Sequence, residues 1–270
     1  MKNNYLYIIV LWILITPIGL LAQSPNHNYI HTRTYTSEDK NNYLDQVQFF
    51  DGLGRPVQSV QRKITPSAKD LISLQEYDAF GREAKSWLPA AIDNNNGAYV
   101  DPTTLINASW ATNTNNGISD QKPYSLPVYE SSPLNRVLEQ YAPGANWHKS
   151  YGSDSKALRT EYLTNNTGIS TLNCIHYELG SQTTDTLVSI RRVRNYETGQ
   201  LYVTRIEDEE GNTSFEFKNK LGQVVLTRQL ENADIYDTYY IYDDFGNTSA
   251  VLPPLASEQM KTGTSWNNRD

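Results

Sequence analysis

Four aspartates recur at one spacing, three residues before a glycine: Asp51 before Gly54, Asp78 before Gly81, Asp208 before Gly211 and Asp243 before Gly246. Arg55 and Arg82 directly follow two of those glycines. Carboxylates beside cations are raw material for general acid–base catalysis. A carboxylate leading into a tight turn has another chemistry, because it accepts backbone N–H bonds across the bend as an Asx-turn. Catalysis has no need of a copy at every repeat, so the recurrence favours the structural role. Gly222, in FKNKLGQVVLTRQ, marks a degenerate copy of the same turn. Arg55 and Arg82 are expected either to bond acids or carbonyls between stacked hairpins, which the planar guanidinium suits, or to stay solvated.

The remaining candidates are isolated. Cys174 and His176 sit two apart and would share a face of a strand, but no third group stands beside them to activate a nucleophile. His27, His31, His148 and His176 match no zinc spacing. Asp93 to Gly97, DNNNG, offers oxygen ligands without the Gly and distal Glu positions of an EF-hand loop. The acidic turns around Asp208 and Asp243 read as solvated. No G-x-S-x-G, P-loop or dinucleotide fingerprint occurs. The sequence therefore assigns no catalytic, cofactor-binding or metal-binding residue and implies no cofactor. Asn-x-Ser/Thr sites at Asn107, Asn165, Asn212 and Asn247 are expected by chance in an Asn-rich chain.

The elements that hold these residues repeat as well. FFDGLGRPVQSV (Phe49 to Val60), EYDAFGREAKSWLP (Glu76 to Pro89) and IYDDFGNTSAVLPP (Ile241 to Pro254) share one order: aromatic, Asp, any residue, Leu or Phe, Gly, then a run able to form a strand. SPLNRVLEQYAPGANW, Ser132 to Trp147, keeps the cadence with Asn135 in the glycine's place, and Asn also tolerates the left-handed conformation. Pro89, Pro143 and Pro253 follow seven or eight residues after the turn and would end each strand. Strands are expected at Tyr29 to Thr36, Leu44 to Phe50, Val57 to Lys63 and Leu71 to Tyr77. Turns at Gly199, Gly211, Gly222, Asn232 to Asp234 and Gly246 then bound runs at Leu201 to Ile206, Thr213 to Phe217, Val224 to Arg228 and Thr238 to Tyr242. That beat describes an antiparallel meander. Alternation in Val224 to Arg228 is imperfect and leaves the buried face open.

The fold class is therefore mostly β, built of antiparallel hairpins, with a loop-rich excursion and at most one or two short helices. One helix is expected with Asp101 as N-cap, Pro102 at its first position and an apolar stripe of Leu105, Ile106 and Trp110. The organisation reads as a signal peptide (1–22), a first β-rich portion (23–90), an Asn/Pro-rich excursion (91–131), a second β-rich portion (132–254) and a tail or the start of a continuation (255–270).

Met1 to Ala22 has one Lys, an apolar run from Tyr5 to Leu21 and a small residue before Gln23. This is a secretory signal layout, expected to be cleaved after Ala22, leaving no transmembrane span and a secreted or cell-surface protein. The formal charge of −7 disfavours nucleic-acid partners, which need Lys and Arg against phosphates. RRVR, Arg191 to Arg194, is the one compact basic cluster and reads as a strand with a solvated face. With Cys174 alone, no intrachain disulfide forms, so 19 Tyr and 5 Trp must supply much of the buried area.

The unit resembles the YD repeat of the Rhs family through Asp51, Gly54 and Arg55; Tyr77, Asp78, Gly81 and Arg82; and Tyr242, Asp243, Gly246 and Asn247. The ordered series from about Tyr29 to Pro254 resembles the DUF6443 domain, typical of Bacteroidetes and found at the N-terminal end of large Rhs-type proteins. The resemblance implies hairpins winding into part of a hollow spiral shell that encloses or presents C-terminal cargo such as a toxin. The partners it implies are further YD repeats or that cargo, and the chain is expected to be a fragment or a short relative, since family members continue through more repeats. A different reading is a surface module that recognises glycan or protein through an aromatic-rich β face, with Trp87, Trp110 and Trp147 as its aromatics.

Overall fold

The computed structural model describes residues 26–93, 95–115, 120, 122–149, 156–180, 189–232, 234–262 and 265–267. The signal segment read over Met1 to Ala22 lies outside the described residues, as does Asn94. The chain divides between Pro123 and Tyr124 into two compact units, each taken by itself.

In the first unit, β1 (Asn28–Tyr35), β2 (Tyr43–Phe50), β3 (Pro56–Gln61), β4 (Asp70–Tyr77) and β5 (Glu83–Trp87) pair antiparallel in chain order, and β6 (Ala90–Ile92) pairs with β4. Period-two alternation sends Val47, Phe49, Val60, Ile72 and Leu74 to one face, where all are buried. Register sets Val47 opposite Val60 and Val60 opposite Ile72, so the core is a row across three strands. Each such side chain contributes about 1.5–3 kcal/mol by leaving water. Gln46, Ser59 and Ser73 occupy the other face.

The Asn-rich segment after β6 is tied to this core by two buried polar side chains. Gln58 donates to the Val100 carbonyl at 2.8 Å and accepts the Val100 N–H at 3.0 Å. Asp70 accepts the N–H groups of Lys63, Asn95 and Gly97. Helix α1 (Pro102–Asn115) begins with Asp101 Oδ1 accepting the Thr103 N–H at 2.9 Å. Its buried positions are Leu105 and Ser109 rather than the expected stripe: Ile106 is half-buried and Trp110 exposed. The Ser109 hydroxyl bonds the Leu88 carbonyl, which turns the 105–109 side inward and carries Trp110 about 100° beyond it.

In the second unit, β7 (Tyr124–Tyr129), β8 (Val137–Tyr141), β9 (Ala157–Thr164), β12 (Tyr202–Glu207), β13 (Thr213–Lys218), β14 (Val224–Glu231), β15 (Asp234–Tyr242) and β16 (Thr248–Leu252) form an antiparallel sheet in that order. Between β9 and β12 the chain leaves the meander. It forms β10 (Ile175–Leu179) and β11 (Ser189–Asn195), which pairs with β17 (Ser265–Asn267) in a second, three-stranded sheet. Helix α2 (Pro254–Thr262) follows β16, so the stretch read as a tail carries regular structure. β10 and α2 contact β15. Cys174, Tyr177 and Met260 thereby join Val203, Phe215, Phe217, Leu226, Tyr239, Ile241 and Leu252 in one cluster. Among the described residues, one face of the main sheet is covered and the other is open.

The broken alternation of β14 has its cause here. Val225 and Leu226 are both buried, and Arg228 points to the covered face, where its fork meets Asp237 directly opposite on β15, Nε to Oδ1 at 2.6 Å and Nη2 to Oδ2 at 2.9 Å. Its Nη1 also donates to the Ser170 and Thr171 carbonyls of the insertion. Asn165, fully buried at the insertion's root, donates to the Tyr196 and Glu197 carbonyls and accepts the Leu201 N–H, so it is not a glycan acceptor. RRVR lies on β11, but Arg191 to Arg194 are all exposed, on both faces rather than one.

Candidate functional site

Each turn carboxylate is consumed by its own backbone. Asp51 Oδ1 accepts the N–H groups of Leu53 and Arg55, both at 2.9 Å. Asp78 does the same for Phe80 and Arg82, Asp208 for Glu210 and Asn212, and Asp243 for Phe245 and Asn247. The second oxygen takes the residue after the glycine: Arg55 Nε at 2.7 Å, Arg82 Nε at 2.8 Å, Asn212 Nδ2 at 2.8 Å and Asn247 Nδ2 at 3.1 Å. Gly54, Gly81, Gly211, Gly222 and Gly246 all sit at φ between +79° and +89°, where a Cβ is disfavoured. Asn135 takes that place at φ +54°.

Hydrogen bonding holds these carboxyls below the usual carboxylate range. The leading cause is the Arg55 N–H for Asp51, the Asn212 amide for Asp208 and the Asn247 amide for Asp243. At Asp78 burial acts upward and is outweighed by the bonds from Arg82. Ionised and saturated groups of this kind make poor general acids. At Gly222 the preceding Asn219 makes the same two Oδ1 bonds, to Leu221 and Gln223, without a charge. A sequence search for Asp alone misses that equivalence.

Consecutive hairpins are joined by a repeated tie. The Tyr77 hydroxyl donates to the Pro56 carbonyl at 2.9 Å, five residues past Asp51, and the Tyr242 hydroxyl donates to the Val224 carbonyl at 2.8 Å, five residues past Asn219. The residue after the earlier glycine then reaches the later hairpin. Arg55 lies 4.3 Å over the Tyr77 ring, and Gln223 Nε2 reaches the Gly246 carbonyl at 3.4 Å. The Tyr of the repeat is thus a strut and the Asp a turn lock. Leu53, Phe80, Leu221 and Phe245, at the tips, are 80–91 % exposed.

The other candidates are not brought together. Cys174 is fully buried, and burial pushes its thiol well up, away from the reactive thiolate. Burial lowers His176, with Glu178 opposing; its ring lies 4.5 Å from that of Tyr196. His31 contacts Asp45 at 2.8 Å, His27 stacks on Tyr99, and His148 lies 3.3 Å from the Tyr124 hydroxyl. The described residues of Asp93 to Gly97 turn N–H groups toward Asp70 rather than oxygens toward a common centre. Trp87 is buried with its Nε1 on Glu76, while Trp110 and Trp147 are exposed. The aromatics missed from sequence are tyrosines: Tyr162, Tyr202 and Tyr236 stand exposed on the open face of the second unit.

A family model described as "Domain of unknown function (DUF6443)" matches residues 23–163. No curated protein sequence matches. Among solved structures, the chain is similar to the crystal structure of TcdB2-TccC3, at 15 % identity and a TM-score of 0.47, covering 88 % of this chain and 10 % of that one. It is also similar to TcdB2-TccC3-Cdc42, at 15 % identity and 0.47, covering 93 % and 11 %. A third is the Photorhabdus luminescens Tc holotoxin pore, at 13 % identity and 0.46, covering 88 % and 10 %. This chain spans about a tenth of the length of those chains.

Proposed function

The chain belongs to the DUF6443 family, and from that premise we propose that it is a non-enzymatic scaffold module, the N-terminal part of an Rhs-type β-shell that encloses or presents cargo such as a toxin. One observation carries the reading. The tie from hairpin to hairpin repeats in each unit, with the same atoms at the same offsets, Tyr77 to Pro56 and Tyr242 to Val224. A device that joins a hairpin to the one before it, present once in each unit, is the kind of contact that extends a stack, and in both units the aspartates of the repeat are engaged in locking their own turns. The signal layout at Met1 to Ala22 supports export, with a mature chain starting at Gln23.

Electron microscopy of the native gene product tests the scaffold role. A hollow shell whose wall contains these hairpins is the expected image, and a solid particle without an internal space overturns it. Amino-terminal sequencing of protein from culture medium should begin at Gln23; retention of Met1 in a cytoplasmic fraction would refute export. A second reading, a surface module that binds glycan or protein, is favoured by the exposed tyrosines on the second unit's open face.

A further inference from the structure

Across the open face of the second unit, register aligns four residues in one row: Ile206 of β12 opposite Ser214 of β13, Ser214 opposite Gln229 of β14, and Gln229 opposite Tyr236 of β15. The neighbouring row, Arg205, Phe215, Arg228 and Asp237, points to the other face. The row forms the floor and walls of a cavity of about 380 Å³, which Asn212 and Glu231 also line. That volume falls within the roughly 300–1,000 Å³ of small-molecule sites. Its end walls are apolar and exposed, Ile206 at 36 % and Tyr236 at 41 %. They stand three strand spacings apart, roughly 14 Å at the backbone. Once the wall side chains take their share, what remains suits one or two small rings and is too narrow for a helix about 10–12 Å across.

Between the walls lie groups whose hydrogen-bonding capacity is unspent. Asp208, also in the lining, has both oxygens committed to its turn, and Asn212 Nδ2 is committed to Asp208, which leaves Asn212 Oδ1. Among the described residues, the Gln229 amide, the Glu231 carboxylate and the Tyr236 hydroxyl take no protein partner. Among the described residues no Lys, Arg or His lines the cavity, and Asp208 and Glu231 make it repel anions. The ligand that fits is amphipathic, with an apolar face for the tyrosine ring, hydroxyls for planar amide and carboxylate groups, and no negative charge.

We propose that this row is a binding site for a neutral pyranose of a glycan, with Tyr236 as the stacking wall and Gln229, Glu231 and Asn212 as hydroxyl partners. The site deepens the surface-binding reading and is independent of the scaffold role, whose test is the image of the assembled shell.

The test is NMR titration of the full chain with cellotetraose, maltotetraose and mannotetraose, with trigalacturonate as the anionic arm. At least one neutral oligosaccharide is expected to bind and trigalacturonate is not. Tyr236→Ala and Gln229→Ala should each weaken binding about tenfold, the loss of one ring contact or one pair of hydrogen bonds. Tyr236→Phe keeps the ring and should stay within about twofold, which separates loss of the contact from loss of the fold. Tyr202→Ala, exposed on the same face outside the cavity, should change nothing. Binding by none of the neutral sugars, binding untouched by both Tyr236→Ala and Gln229→Ala, or preference for trigalacturonate would each overturn the proposal.

Discussion

Replacing Asp78 separates a turn lock from a catalytic carboxylate. Its Oδ1 accepts two N–H bonds at 2.9 Å and its Oδ2 one charged bond from Arg82 at 2.8 Å. In Asp78→Ala the two amides turn to water, since the bend is only half-buried, and each lost bond costs about 1 kcal/mol net. Losing the solvent-facing pair with Arg82 adds up to about 1 kcal/mol, for a total of about 2–3 kcal/mol. Asp78→Asn keeps an oxygen at the Oδ1 position and loses only the ion pair, so it should cost less than about 1 kcal/mol. The protein contains its own precedent in Asn219, which locks its turn as an amide. Hydrogen exchange reads the difference at the Phe80 and Arg82 amides and along β4 and β5, whose protection reports the local opening free energy. Equal costs for Ala and Asn would show that charge rather than turn geometry matters. No cost for either would release the carboxylate for another role and refute the structural assignment.

Three further outcomes are expected. Arg228→Met strands Asp237, 1 % exposed, without its cation, and should cost about 3–5 kcal/mol in urea denaturation, whereas adding Asp237→Leu should restore most of it; a double variant no better than the single one contradicts this. Gly54→Ala and Gly81→Ala both force alanine to positive φ at about 1–2 kcal/mol. Only at Gly81 would the new Cβ also meet Arg55 Nη1, at 2.9 Å, so its extra loss should vanish in an Arg55→Ala background, and equal losses would refute the contact. Asp45 gives a pH dependence: burial alone would raise its carboxyl, but hydrogen bonds from Arg33 and His31 outweigh it and hold it down at about 2. A depressed folded value stabilises above the unfolded value, so β1–β2 protection should fall as pH drops from about 4 toward about 2. Asp45→Asn should flatten that slope, and an unchanged slope would exclude Asp45 as its source.

The meander from β12 to β16 was legible because its turns need Gly or Asn at positive φ and its strands alternate between them. RRVR was legible as a strand, but the pairing of β11 with β10 outside the meander was not, because it rests on tertiary anchors that look ordinary along the chain: Asn165 is an amide in a polar run and Arg228 one more strand arginine. β7 was hidden by Pro127, since proline demotes a run that otherwise reads as a strand. At Trp110 the apolar pattern misled because a serine, Ser109, found a carbonyl and took the buried place.

The candidate site was illegible for a different reason. Ile206, Ser214, Gln229 and Tyr236 are scattered over 31 positions of the chain, and only strand register makes them neighbours. Register also fixes which face they occupy, because a slip of one residue exchanges the faces. One residue inserted in β14 ahead of Arg228 would turn Gln229 under the insertion and bring Arg228 out into solvent, away from Asp237. The open-face row and the buried ion pair would then fail together, although neither touches the other. Gln229→Ala removes a partner from the row and leaves Arg228 on Asp237. An inserted variant that kept its stability while losing the row would therefore show that the buried pair does not hold the register, and that the turns alone set it.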